Sequence, residues 1–343
     1  MFVLLPPFPS DCALDINHTL YYMPSPRHAF VQFPAPSFEI VKRQRDQFRA
    51  ATYSRNTIAS YGRDLRVFQA WCEAAQLTSL PAAADTIELY IADLIGHGRK
   101  VSTLQRHVSA IRHAHSFAGL PNPCNQAVRA VLIGAKRMLG QKPKQKRALT
   151  LIELRKMIEH TGNATAIQAR NSALLLFGFA TALRRSTLAQ LTLDDLSISE
   201  VSITTHIRHE KQDRLGSGRT VTIPLGKDAS LCPITAVKAW IKWRGNSPGP
   251  LFQGIGNGKP TGRAILGNRI GQIVQHAAHA IGLDSKSYGG HSLRSGFVTE
   301  AILAGVNDIH IMDHTGHASL EMLRTYFRPI YALRTNPCRQ LGL

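Results

Sequence analysis

The chain has 343 residues, room for two domains of ordinary size rather than one oversized core, and 44% of its residues are hydrophobic against 18% charged. That composition excludes a disordered polymer and a disulfide-rich miniprotein. Lysine and arginine number 41 against 22 acidic residues, a formal net charge of +19, which suits a polyanionic partner: nucleic acid first, an anionic membrane surface second.

The excess charge belongs to the body of the chain. Residues 1–40 hold Arg27 against Asp11, Asp15 and Glu39, so the remainder carries +21. No stretch approaches the roughly 18 apolar residues that span a bilayer, and residues 2–5 are too short and lack the basic flank of a signal peptide. The sequence therefore reads as intracellular, with no membrane association. Cys12, Cys72, Cys124, Cys232 and Cys338 are odd in number and widely spaced, so they form no C-x-x-C zinc element and read as buried or idle thiols.

Residues 1–40 contain seven of the 18 prolines and no sustained period, which predicts an extended or disordered arm. Folding is expected to begin near residues 39–49. Ile58, Tyr61, Leu65, Phe68 and Trp71 then fall on one helical face. Further helices fit residues 85–97 (Ile87, Ile91, Leu94), 102–117 (Leu104, Val108, Ile111) and 125–139 (Val128, Val131, Leu132, Ala135). Such helices pack as a small bundle over 41–140. Their polar faces are basic, with Arg106, His107, Arg112 and His113 on one helix and Arg129, Lys136 and Arg137 on the next, either a solvated face or a DNA-binding one. Residues 141–149, with Lys142, Lys144, Lys146 and Arg147 around Pro143, predict a basic linker.

The second domain is expected over 150–343. Thr150 and Glu153 form a capping-box pattern, and residues 171–183 predict a helix buried on most sides. Val201, Ile203, Thr205 and Ile207, then Thr220 to Ile223, alternate around Leu215-Gly-Ser-Gly218, which predicts a β-hairpin. Helical patterns resume at 233–244 and 268–281, followed by short helices bounded by Gly289-Gly290, Gly305 and Gly316. The fold class is thus mainly α with a small β-hairpin or sheet.

Several polar residues stand where an apolar pattern expects something else: Arg184 and Arg185 close a buried helix, and His291, Arg294 and His317 sit beside glycines. Each has an ordinary structural reading by itself. Arg184 and Arg185 fit a helix C-terminal charge pair, Lys211 a solvated hairpin lysine, the two histidines satisfied interior groups, and Tyr326 a packing residue. A His-x-x-Arg pair occurs about once by chance in a chain this rich in both residues. Order and spacing carry the information.

Taken in order, Ala182-Leu-Arg184-Arg-Ser-Thr-Leu188, Lys211, Gly290-His291-Ser-Leu-Arg294, Thr315-Gly-His317-Ala-Ser and Arg324-Thr-Tyr326 resemble the signature of the tyrosine recombinases and phage-type integrases. His206-Ile-Arg-His-Glu-Lys211 with Gly216-Ser-Gly218 looks most like the lysine hairpin of Cre-type members. The resemblance runs from about Ser54 to the C-terminus and implies a core-binding bundle followed by a catalytic domain, which clamp duplex DNA between them.

It also implies a reaction: cleavage and rejoining of DNA through a covalent 3′-phosphotyrosine. In that reaction Arg184 and Arg294 bind the non-bridging phosphate oxygens, and His291 exchanges a proton with the nucleophile or holds the phosphate. His317 donates a further hydrogen bond to the phosphate, Tyr326 attacks, and Lys211 protonates the departing 5′-oxygen. No metal or cofactor is needed, since the new ester stores the energy of the old one. Arg106, Arg112, Arg129, Lys136, Arg137, Lys144, Lys146 and Arg147 are the expected DNA contacts, with protomers assembling as a tetramer on two sites.

Two features depart from the pattern. Thr187 stands where the family usually has an acidic residue three positions after the first arginine, and Arg185 beside Arg184 gives the motif two registers, of which Ala182-Leu183 before and Ser186 after favour Arg184. Tyr331 is a second tyrosine nearby, but it lies fourteen residues past His317 and fits worse than Tyr326. A type IB topoisomerase and a catalytically silent DNA-binding accessory protein remain the alternatives.

Overall fold

A computed structural model describes residues 18–19, 33–34, 37–140, 145–208, 210, 217–326, 338 and 341. Most of the predicted arm, part of the basic linker with Lys144, the hairpin tip with Lys211, and Tyr331 lie outside the described residues. The chain divides into two compact units, Met1–Pro143 and Lys144–Leu343.

In the first unit, β1 (His18–Thr19) and β2 (Phe33–Pro34) pair antiparallel. Five helices follow: α1 (Phe38–Ala51), α2 (Arg55–Ala74), α3 (Ala84–Gly96), α4 (Val101–Phe117) and α5 (Gln126–Leu139). The side chains of Ser54 and Asn125 accept the Thr57 and Val128 amides and so start α2 and α5; Gly140, in the left-handed region, ends α5. The apolar stripes meet in one core of Phe68, Ile87, Tyr90, Ile91, Leu104, Ile111 and Val128. Each buried aliphatic side chain there contributes about 1.5–3 kcal/mol.

One residue assigned to the basic face belongs instead to that core. His107 is buried, its Nδ1 2.8 Å from the Tyr90 hydroxyl and its Nε2 3.5 Å from Asp64, and burial pushes its pKa down. Asp64, 4% exposed, also accepts Nε and NH2 of Arg106 at 2.6 and 3.0 Å.

The second unit is built on α7 (Ala166–Thr181), buried on nearly every side and packed by α6 (Leu151–Thr161), α9 (Pro233–Arg244) and α11 (Gly290–Leu303). Capping boxes at Thr150/Glu153 and Thr165/Gln168 start α6 and α7. Helix α7 begins five residues earlier than the apolar run implies, because the Thr165/Gln168 box sets its start while Gln168, Arg170 and Asn171 interrupt the apolar pattern. Gly178 allows closeness: a Cβ there would stand 2.9 Å from Leu188 Cδ2 and 3.0 Å from Leu293 Cδ1.

Helix α8 (Arg185–Gln190) leads to a three-stranded antiparallel sheet in the order β3 (Leu196–Ile198), β4 (Ser202–Ile207), β5 (Arg219–Pro224). Ile203, Thr205 and Ile207 face the core, and the ladder ends with Ile207 opposite Arg219. Strands β6 (Gln253–Gly256) and β7 (Lys259–Ala264) form a second hairpin. Helices α10 (Gly267–Ala280), α12 (Asp308–Thr315) and α13 (Leu320–Arg324) complete the unit. Its main core includes Leu174, Phe177, Trp240, Phe252, Tyr288 and Leu293. A smaller cluster, Val298, Ile302, Ile311 and Leu323, carries Tyr326 at its edge.

Among the described residues no helix is long and apolar enough to cross a membrane, and no group of three or more His, Cys, Asp or Glu side chains could hold a metal ion. Cys72, Cys124 and Cys232 are buried and free, and Cys338 is exposed.

Candidate active site

The site is assembled where three turns of the second unit converge. Helix α7 ends at Ala182, which adopts the left-handed conformation at φ 50° despite carrying a Cβ. The reversal aims the Ala182 carbonyl at Arg294 and places Arg184 as the N-cap of α8. Arg184, half-buried, brings NH1 within 3.4 Å of Glu210 Oε2, whereas Arg185 is exposed. Of the two adjacent arginines, Arg184 is therefore the one in the site.

Arg294, on α11, is 1% exposed. Its NH1 donates to the carbonyls of Ala182 and Thr315, both at 2.7 Å, and NH2 donates to His317 Nε2 at 3.0 Å. Burial, then the charge of Arg184, push its pKa below the usual guanidinium range, with Tyr326 and Glu210 acting in the opposite sense. Carbonyls and a neutral ring hold the Arg294 guanidinium without cancelling its charge, an arrangement chemically suited to an anion.

His317 is neutral. Burial first, then the charges of Arg294 and Arg184, drive its pKa down to about 3. Arginine only donates, so Nε2 must accept, and Nδ1 carries the proton. The Thr315 hydroxyl donates to the Ile311 carbonyl at 2.6 Å, leaving its oxygen to accept from His317 Nδ1 at 2.6 Å. The expected donation from His317 to a phosphate is thus replaced here by an accepted bond that holds Arg294. Reaching a phosphate through Nε2 requires a change of tautomer.

Tyr326, half-buried just beyond α13, presents its hydroxyl 3.2 Å from His291 Nε2, and its ring lies 5.3 Å from that of His317. His291 is exposed at the start of α11. Four predicted residues from three segments, His291 and Arg294 on α11, His317 and Tyr326, thus form one connected group, with Arg184 close enough to bear on the charge of two of them.

Two residues that sequence reasoning missed complete the arrangement. Glu210, 6% exposed in its side chain, accepts Arg219 Nε at 3.0 Å and NH2 at 3.4 Å. Arg219 NH1 and NH2 reach the carbonyls of His314 and Thr315 at 2.7 and 3.3 Å. The signal available in the sequence was Thr187, since an arginine without a nearby acid needs one from elsewhere in the fold.

Of the expected DNA contacts, Arg112, Arg129, Lys136 and Arg137 are exposed on the first unit. Arg106, Lys146 and Arg147 already have protein partners. Arg106 closes on Asp64, Lys146 Nζ donates to the Lys286 carbonyl, and Arg147 pairs with Glu153 at 3.2 Å beneath the Tyr288 ring.

Comparison with known proteins finds family matches in both units. Residues 147–332 match the Phage integrase family, and residues 45–119 match the Phage integrase, N-terminal SAM-like domain. The chain is 32% identical over 276 residues to an integrase/recombinase xerD homolog of Selenomonas ruminantium, covering 79% of this chain and 81% of the relative. It is 26% identical over 321 residues to recombinase cre of Escherichia phage P1, covering 86% and 90%. The fold is shared with the Tn1549 transposon integrase in complex with transposon right end DNA (TM-score 0.56, 17% identity, 87% of this chain and 98% of that one). It is also shared with a lambda integrase dimer bound to a COC′ core site (TM-score 0.54, 16% identity, 85% and 95%).

Proposed function

We propose, from the premise that this chain belongs to the phage integrase family and is a tyrosine recombinase acting in site-specific DNA recombination, that Tyr326 is its nucleophile and that Arg184, Lys211, His291, Arg294 and His317 surround the scissile phosphate. The observation that carries this assignment is the Tyr326 hydroxyl at 3.2 Å from His291 Nε2, beside a buried Arg294 that is held by the Ala182 and Thr315 carbonyls and His317.

The chemistry follows from the groups present. A phosphodiester repels nucleophiles because it is an anion; Arg184 and Arg294 neutralise it and the charge that develops in the transition state. Tyr326 attacks phosphorus while its proton passes to His291. The bond to the 5′-oxygen breaks, Lys211 protonates that oxygen, and a 3′-phosphotyrosine remains. Attack by a 5′-hydroxyl from the partner strand reverses the steps and releases Tyr326, so one ester replaces another with no external energy source.

Exposed Arg112, Arg129, Lys136 and Arg137 of the first unit, with Arg106 and the linker residues Lys144, Lys146 and Arg147, contact DNA phosphates. The domain limits are read as an arm over 1–40, a DNA-binding bundle over 41–140, a linker over 141–149 and a catalytic domain over 150–343. Four protomers on two sites perform the exchange, inside the cell where the DNA is. Support for multimeric assembly on DNA comes from related structures such as the lambda integrase dimer bound to its core site.

The test is covalent trapping. Sequencing DNA captured on the wild-type protein identifies a cleavable duplex, and a nicked suicide version of it accumulates the adduct. Peptide mapping should place the DNA on Tyr326, and Tyr326→Phe should bind DNA within about 1 kcal/mol of wild type yet form no adduct. An adduct on Tyr331 would overturn the site assignment. If no tyrosine is ever modified, the silent accessory reading takes over; relaxation without strand exchange between duplexes would point to a topoisomerase.

A further inference from the structure

Thr187 leaves Arg184 without the acidic neighbour that the family resemblance leads one to expect on the same helix. The structure provides a carboxylate from a different element. Glu210 follows the end of β4 by three residues, is nearly buried, and brings Oε2 to 3.4 Å from Arg184 NH1. The same carboxylate receives two nitrogens of Arg219, the first residue of β5. The β4–β5 ladder therefore sets Glu210 against two guanidinium groups at once.

We infer that Glu210 is a positioning residue of this recombinase, orienting Arg184 for the phosphate and, through Arg219, holding the turn that carries His317. The inference rests on the active-site reading above and deepens it.

Three observations converge on it. First, the Glu210 carboxylate stands 3.4 Å from Arg184 NH1 and 3.0 Å from Arg219 Nε and bears on the charge of Arg294, so it offsets the repulsion among these three cations and draws Arg184 toward it. Second, Arg219 passes the constraint on. Its NH1 and NH2 hold the His314 and Thr315 carbonyls, and the Thr315 carbonyl also receives Arg294 NH1. Arg184, Glu210, Arg219, Thr315 and Arg294 thus form one continuous chain of contacts ending at His317.

Third, the turn packs directly on the Glu210–Arg219 pair. Gly316 has φ 68°, and a Cβ there would stand 2.7 Å from Arg219 Nε and 2.8 Å from Glu210 Oε2. Only a glycine meets both demands, so the backbone between Thr315 and His317 is fitted to this ion pair. Glu210 also immediately precedes Lys211 in the chain.

The experiment measures single-turnover adduct formation by the full chain on the duplex recovered from wild-type trapping. One version carries the ordinary scissile phosphate and the other a neutral methylphosphonate at that position. Glu210→Gln keeps the size of the side chain and removes its charge; Glu210→Asp keeps the charge on a shorter stem. On the ordinary phosphate, Glu210→Gln should slow adduct formation by about tenfold or more, with Glu210→Asp intermediate and DNA binding within about threefold of wild type.

On the methylphosphonate there is less charge for Arg184 to stabilise, and the loss should shrink to about threefold or less. A wild-type rate for Glu210→Gln on the ordinary phosphate overturns the inference. So does an equal loss on both substrates, which would mark Glu210 as a structural support only. Failure of the wild-type protein to form an adduct on Tyr326 would instead strike the underlying site assignment, and is read in the same gel.

Discussion

The hydroxyl of Tyr326 and Nε2 of His291 stand 3.2 Å apart, one on the chain leaving α13 and the other in the first turn of α11. Thirty-five residues separate them in sequence, and the packing of Leu323 and Tyr326 against the small cluster around Val298 and Ile311 brings them together. The pair has the separation that general-base catalysis needs.

Replacing His291 with alanine should therefore slow adduct formation by about 10²–10⁴-fold. His291 is exposed, so the fold should change by less than about 0.5 kcal/mol. Single-turnover trapping on a suicide duplex, with thermal unfolding as control, measures both. Equal rates for variant and wild type would remove His291 from the proton path.

His317 makes the free protein sensitive to acid. Its folded pKa, about 3, lies below the roughly 6.5 of an unfolded histidine. Between these values the unfolded chain binds the extra proton, so the stability tied to the neutral ring is complete above pH 6.5 and is lost as the pH falls toward 3. The slope from this residue is at most about 1.4 kcal/mol per pH unit. His314, also pushed down by burial, adds in the same direction. Comparing urea unfolding of wild type and His317→Asn at pH 7, 6 and 5 isolates the His317 share. Identical slopes would show that the ring titrates alike in the folded and unfolded chain and that burial does not hold it neutral.

Lys211 should act on the leaving group. Lys211→Ala is expected to slow cleavage of ordinary DNA and to be substantially rescued when the bridging 5′-oxygen is replaced by sulfur, because a thiolate departs without a proton. The substituted duplex and its parent are compared in single-turnover assays. Absence of rescue would move Lys211 to phosphate contact or to structure.

What the sequence made legible depended on period and capping. Helices α2 to α5 follow from stripes such as Ile87, Ile91 and Leu94, and the Thr150/Glu153 pair marks the start of α6 where the structure has it. The hairpin β6–β7 has no legible period, because Gly254, Gly256, Gly258, Pro260 and Gly262 read as breakers, yet its strands pair at Gln253–Ala264, Ile255–Pro260 and Gly256–Lys259. His107 was read as a surface group because a helical stripe is judged by hydrophobicity, and a buried histidine satisfied by Tyr90 and Asp64 breaks that rule. Motif order brought out Arg184, Arg294, His317 and Tyr326. It was silent on Glu210 and Arg219, whose contacts come from ladder register rather than from any local spacing.

Arg106 and Arg112 lie on the same helix and carry the same charge, but the structure gives them different work. Arg106 closes two donors on Asp64, a carboxylate only 4% exposed that His107 also approaches. Arg106→Ala leaves that carboxylate buried and short of partners, and should cost about 1–3 kcal/mol of unfolding free energy. Arg112 is exposed, so Arg112→Ala should change stability by less than about 0.5 kcal/mol. If Arg112 neutralises a phosphate, its loss should reduce the slope of log K against log[salt] by about one unit from a wild-type value on the order of −5. Chemical denaturation and salt-dependent DNA titration of the two variants separate the roles. A stable Arg106→Ala protein whose salt slope alone declines would leave Arg106 a DNA contact with no part in stability, whereas an unchanged slope in Arg112→Ala would take Arg112 off the DNA surface.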